Sequence, residues 1–85
     1  MIPGGWEIQE TITAEDMNLF LQIKSNLQHA EYTPLAVGVQ SVGGKNVCFI
    51  CKAVHTSGKE YFSKVLVRVP YSGEPEFQSA KEILL

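Results

Sequence analysis

Residues 35–69 read LAVGVQSVGGKNVCFICKAVHTSGKEYFSKVLVRV, and apolar and polar side chains alternate along most of this segment. Alternation with many β-branched residues is typical of strands that bury one face. Turn-forming residues divide the segment at Gly43-Gly44 and at Thr56-Ser57-Gly58, and Pro70-Tyr71-Ser72-Gly73 follows it. We therefore predict an antiparallel meander of four strands. Its strands span residues 35–42, 46–55, 60–69 and 76–84.

One helical pattern precedes the meander. Thr13 can accept a hydrogen bond from an orphan backbone N–H, and the acidic Glu15 and Asp16 favour the positive end of a helix. After them, apolar residues recur every three or four positions, at Met17, Phe20, Ile23, Leu27 and Ala30. The spacing predicts one amphipathic helix over residues 13–30 that covers the sheet. The expected fold is α+β, a single domain over residues 1–85 with one helix and four to five antiparallel strands.

Length and charge exclude several classes of function. The chain has 85 residues and a net charge of −2, which leaves room for one domain and little for an enclosed active site. Its cations are scattered, whereas binding to a phosphate backbone needs a clustered positive face. The chain contains neither a secretory leader pattern nor an apolar run long enough to span a membrane. We expect a soluble, cytoplasmic protein that binds neither nucleic acid nor membrane.

The turns of a meander alternate between the two ends of the sheet. The turn at Gly43-Gly44 and the turn at residues 70–73 therefore share one end, and both are free of charged residues. The N-terminal segment Ile2-Pro3-Gly4-Gly5 has the same small and apolar character. Uncharged clusters of this kind are typical of the centre of a protein interface. Each turn taken alone is also an ordinary hairpin sequence, and the N-terminal segment alone resembles an ordinary chain end.

Together these segments resemble the stefins, the intracellular branch of the cystatins. Residues 1–5 are similar to the opening of stefins, and Gln40-Ser41-Val42-Gly43-Gly44 matches the cystatin signature Q-x-V-x-G. Residues 69–73 fall where stefins carry a Leu-Pro-Gly turn, with Pro70-Tyr71 in its place. The resemblance implies the cystatin fold and tight, reversible, competitive inhibition of papain-like cysteine proteases.

The resemblance also implies which residues contact a protease. The N-terminal segment would lie along the substrate subsites, and the two hairpin turns would fill the cleft beside the catalytic thiol. The implied contacts are Ile2, Pro3, Gly4, Gly5, Gln40, Ser41, Val42, Gly43, Gly44, Val69, Pro70, Tyr71, Ser72 and Gly73.

The residues give little support for a catalytic or metal-binding site. Cys48 and Cys51 have the spacing of a metal or redox motif, but they fall within a predicted strand, where residues three apart point to opposite faces. Lys59, Lys64 and Arg68 alternate with apolar residues and indicate the water-facing side of a strand. We therefore expect no catalytic residue, metal or cofactor, and two reduced thiols.

Two functions from different classes remain open. The first is the protease inhibitor, and the second is a non-inhibitory module of the same fold that binds a partner or ligand through another face. We expect a monomer. Because short hinge loops favour strand exchange, a swapped dimer formed through the Gly43-Gly44 turn is the alternative assembly.

Overall fold

A computed structural model of the chain describes residues 5–85. Within these residues, strand β1 precedes one α-helix, α1, which continues into one turn of 3-10 helix, and strands β2 to β5 follow. The elements are β1 Trp6–Ile8, α1 Ala14–Ile23, the 3-10 turn Lys24–Asn26, β2 Ala30–Ser41, β3 Lys45–His55, β4 Glu60–Val69 and β5 Glu76–Glu82. Within the described residues, no helix has the length and apolar character needed to cross a membrane.

All five strands form one antiparallel sheet in the order β1-β2-β3-β4-β5. This arrangement confirms the α+β prediction and the meander of β2 to β5. Strand β1 is the additional fifth strand, and it pairs with β2 at Gly38, Val39 and Gln40. The first part of β2, residues 30–36, contains Pro34 and a shift of register between Pro34 and Ala36.

The predicted helix boundary at residue 30 is wrong. Helix α1 ends at Ile23, and Ala30 already pairs with His55 as the first residue of β2. Asn26 explains part of the difference, because its side-chain amide donates to the Ile23 carbonyl at 3.1 Å and so closes the helix end. Leu27 remains in the core although it is no longer helical, since the 3-10 turn keeps it above the sheet.

The core lies between α1 and one face of the sheet. Alternate residues of β3 point to the helix, and these side chains are fully buried together with Val65 and Val67 of β4. Phe20 of the helix packs edge-to-face on Phe49, with ring centroids 5.1 Å apart. The buried residues of β3 are Val47, Phe49, Cys51 and Ala53.

The helix starts where the sequence predicts, at a reciprocal capping box. The Asp16 backbone N–H donates to Thr13 Oγ1 at 3.1 Å, and the Thr13 N–H donates to Asp16 Oδ2 at 2.9 Å. The Asp16 side chain is nearly buried, so its carboxylate is held close to the first turn of α1. Two orphan donors at the helix start are thereby satisfied.

Replacing Thr13 tests the contribution of this cap. We expect Thr13→Ala to lower the free energy of unfolding by about 1 kcal/mol, because one N-terminal N–H of α1 loses its acceptor. Chemical denaturation monitored by circular dichroism measures the change. Thr11→Ala is the matched control, since Thr11 is exposed before the helix and should change stability by less than about 0.5 kcal/mol. Equal effects of the two substitutions would show that the cap contributes nothing specific.

Candidate functional site

Strand pairing brings Gly5, the last residue of the predicted N-terminal segment, to the end of the sheet that carries the two uncharged turns. Trp6 pairs with Gln40, so Gly5 lies beside the end of β2, where the chain enters its first hairpin turn. Of the predicted N-terminal contacts, Ile2, Pro3 and Gly4 lie outside the described residues.

The two hairpin turns touch each other through Gly44. Gly44 has a φ of +97°, and a Cβ atom at this position would lie 2.6 Å from the Val69 carbonyl oxygen. The same atom would lie 3.1 Å from the Pro70 Cα and from the Tyr71 backbone nitrogen. Only glycine allows both this conformation and this approach. The first turn and the second therefore form one continuous surface, residues 40–44 and 69–73, which we call the hairpin edge.

Apolar side chains point outward from the hairpin edge. Tyr71 is 88% exposed and Val42 is 45% exposed. Between the turns lies a shallow depression of about 300 Å³, lined by both of them and by Lys45 at the start of β3. An exposed tyrosine offers a large contact area at a small cost in rotamer entropy. Large apolar side chains clustered on exposed turns are typical of a surface that a partner covers.

Arg68 holds the first turn in place. Its Nη1 donates to the Val42 carbonyl at 2.7 Å and to Asn46 Oδ1 at 3.3 Å, and its Nη2 donates to the Gly43 carbonyl. Asn46 in turn donates to Gln40 Oε1 at 2.9 Å. The side chains of Arg68, Asn46 and Gln40 thus connect the turn to three neighbouring strands.

Arg68 lies on the face of β4 opposite the helix, as its alternation with the buried Val65 and Val67 predicts, but its contacts with the first turn were not predicted. Lys64 is exposed on β4, as predicted, whereas Arg68 is half-buried and bonded to turn carbonyls. The contact of Arg68 with the first turn could have been predicted from the strand register. In the meander, Arg68 lies opposite Asn46 and thus within reach of the preceding turn. The turns contain no charged residue, but a charged residue holds one of them.

The two cysteines lie on opposite faces of β3, as the alternation predicts. Cys51 is fully buried under the helix, and Cys48 is half-buried on the other face. Burial, together with the neighbouring Cys48 thiol, raises the pKa of Cys51 to about 12. Burial also raises the pKa of the Cys48 thiol, against the lowering effect of Lys64. Between residues 5 and 85, no group of three or more His, Cys, Asp or Glu side chains is placed to hold a metal ion.

Comparisons with protein-family models, with curated proteins and with solved structures find no match to this chain. The functional conclusion therefore depends on the residues of the hairpin edge and their geometry. The hairpin edge presents backbone and exposed apolar side chains.

Removing the Arg68 guanidinium should release the first turn. We expect Arg68→Ala to lower the heteronuclear ¹⁵N NOE of residues 42–44, because the Val42 and Gly43 carbonyls lose their side-chain donors. Lys64→Ala is the matched control, since it removes an exposed cation from the same strand and should leave these values unchanged. Unchanged values in Arg68→Ala would contradict a role for Arg68 in holding the turn.

The cysteines should differ in reactivity toward a thiol reagent. The thiolate is the reacting form, so a buried thiol with a raised pKa reacts slowly. At pH 8 we expect one equivalent of a disulfide reagent to react with the folded protein, at Cys48, and a second to react with Cys51 only in denaturant. Cys48→Ser should abolish the reaction of the folded protein. Reaction of folded Cys48→Ser at the wild-type rate would show that Cys51 is accessible.

Proposed function

We propose that this chain is a cystatin-like protein that reversibly and competitively inhibits papain-like cysteine proteases. The observation that carries the proposal is the hairpin edge, in which Gly44 packs against the backbone of Val69, Pro70 and Tyr71. Two turns joined without intervening side chains make a narrow edge, which suits insertion into a cleft. The chain is then a binding protein and not an enzyme.

The arrangement of secondary structure supports the same family. One helix packed on a five-stranded antiparallel sheet, with a short first strand before the helix, is compatible with a cystatin-like fold. The signature residues Gln40, Val42 and Gly44 occupy the first hairpin of that sheet, as the resemblance to stefins implies.

The proposed mechanism is occlusion of the active-site cleft. Val42 and Tyr71 supply apolar area that leaves water on binding, and Pro70 stiffens the second turn. Because Arg68 already orders the first turn, little conformational entropy is lost when the cleft closes around it. The N-terminal segment, Ile2 to Gly5, would follow the substrate subsites without placing a peptide bond at the catalytic thiol. The inhibitor therefore competes with substrate and is released intact.

One observation favours the competing function, a non-inhibitory binding module. The face of the sheet opposite the helix carries an apolar groove of about 390 Å³ between β1 and β4. Trp6 and Ile8 are exposed at its rim, and Cys48, Ile50 and Leu66 line it. A partner bound there would contact no residue of the second hairpin turn.

A papain titration separates the two functions. We expect the wild-type chain to inhibit papain stoichiometrically, and Val42→Ala/Tyr71→Ala to weaken inhibition about a hundredfold, as expected for two anchors at the centre of an interface. Leu21→Ala is the control, because Leu21 is an exposed apolar residue of α1 far from the turns in sequence. It should inhibit like the wild type.

Two results would contradict the proposal. One is the absence of inhibition of papain and of cathepsin-like proteases by the wild-type chain at micromolar concentration. The other is full inhibition by the Val42→Ala/Tyr71→Ala variant, which would place the contact outside the hairpin edge. A binding module that uses the apolar groove should instead be sensitive to Trp6→Ala and insensitive to the two turn substitutions.

A further inference from the structure

The end of the sheet opposite the hairpin edge holds a polar cavity of about 450 Å³. Both histidines of the chain, His29 and His55, line this cavity although they are far apart in sequence. The other lining residues are Tyr32, Ser57, Lys59, Tyr61, Ser63, Ala80 and Glu82. Its volume lies within the range of small-ligand sites, and most of its lining residues carry a polar group.

Strand register brings the two histidines together. Ala30 pairs with His55, so His29, which immediately precedes β2, lies beside the last residue of β3. The His29 Nε2 and the Tyr32 hydroxyl share a hydrogen bond of 2.7 Å, and the two rings pack edge-to-face with centroids 5.5 Å apart. The position of His29 is thus fixed by a neighbour that is itself buried.

His55 is held by the turn that follows β3. The Ser57 backbone N–H donates to His55 Nδ1 at 3.0 Å, so the neutral ring carries its proton on Nε2. Ser57 Oγ also lies 3.0 Å from Nδ1, so it can accept a hydrogen bond from that nitrogen when the ring is protonated. In both states the ring keeps its Nε2–H for another partner.

The charged and titratable groups that face the histidines are Lys59 before β4, Glu82 at the end of β5, and the two tyrosines. The Lys59 ammonium lies 3.3 Å from the Glu82 carboxylate, so their charges balance. Burial, with Tyr61 adding to it, raises the pKa of Tyr32 to about 12, so this phenol stays neutral. Histidine is the side chain that ordinarily gains charge between pH 8 and pH 5. Protonation of His29 and His55 would add two cations to Lys59, against the one carboxylate of Glu82.

We propose that this cavity binds a small ligand through a tetrahedral oxyanion, a sulfate or phosphate group, and binds it more tightly in mild acid. His29, His55 and Lys59 supply cationic donors from three separate parts of the chain, which suits a group with more than two oxygens. The Tyr61 hydroxyl and the Ser57 hydroxyl add neutral hydrogen-bonding groups at the wall. The site shares no residue with the hairpin edge, so it does not depend on the proposed inhibition.

Sulfate is the probe, because its charge does not change between pH 5.5 and pH 8, unlike that of phosphate. NMR titration at constant chloride should show saturable shifts of the His29 and His55 ring protons at pH 5.5. The affinity should fall about tenfold or more at pH 8, because a histidine side chain ordinarily loses its charge between these two pH values. Acetate, with two oxygens, should bind more weakly than sulfate at pH 5.5. Shifts that do not saturate, or equal binding of acetate, would overturn the proposal.

Substitutions of cavity residues test whether sulfate binds at this site. His29→Gln/His55→Gln should reduce sulfate affinity at pH 5.5 to the value that the wild type shows at pH 8, with amide shifts as the readout. Lys59→Gln should weaken binding at both pH values, which tests the site independently of any loss of folding in the double variant. Lys52→Gln is the matched control, because Lys52 is paired with Glu60 at 2.8 Å outside the cavity and should leave affinity unchanged. Wild-type affinity in His29→Gln/His55→Gln and in Lys59→Gln would contradict the assignment.

Discussion

The contact between Gly44 and the backbone of the second hairpin turn organises the proposed binding end of the molecule. A side chain at position 44 would meet the Val69 carbonyl at 2.6 Å, and the positive φ of the residue would strain it further. The two turns would then have to separate. Because β3 and β4 pair up to Lys45 and Val69, any separation would also disturb the last residue pair of the sheet. Because Gly44 has no side chain, the two turns can lie in contact while β3 and β4 remain paired up to Lys45 and Val69.

The core behind this end consists of one helix packed on one face of the sheet. Helix α1 is only ten residues long, yet its buried residues cover alternate residues of β3 and β4, with Phe20 against Phe49 as the central aromatic pair. A domain of this size buries a modest share of its surface, so its stability depends on a small number of core contacts. The buried apolar residues on the helix-facing side of the sheet pack against α1. The exposed apolar residues Val42 and Tyr71 add nothing to that core, which is why we propose a binding role for them.

Local patterns were enough to predict the start of the helix, the strands β3 and β4 and the opposite orientations of the cysteines. Thr13 and Asp16 act within one turn of chain, and alternation acts within one strand, so neither depends on distant contacts. The end of the helix could not be predicted in this way, because Ala30 leaves the helical pattern to pair with His55, a residue far along the sequence. The same holds for Arg68, whose partners lie in another hairpin, and for β1, which is too short to show a period. Sequence patterns placed the turns of the hairpin edge at one end of the sheet, but their contact through Gly44 could not be predicted, because it depends on the backbone of a turn 25 residues or more along the chain.

The irregularity in β2 affects whether a strand of another molecule can pair with the edge of this sheet. Among the described residues, β1 covers only Gly38, Val39 and Gln40 of this long strand, so residues 30–36 lie along an edge of the sheet. Such an edge is a template on which a foreign strand can add, and sheets that leave it flat tend to aggregate. Pro34 has no N–H to offer, and the shift of register beside it breaks the spacing of the edge. This part of the edge is therefore a poor template for a strand of another molecule.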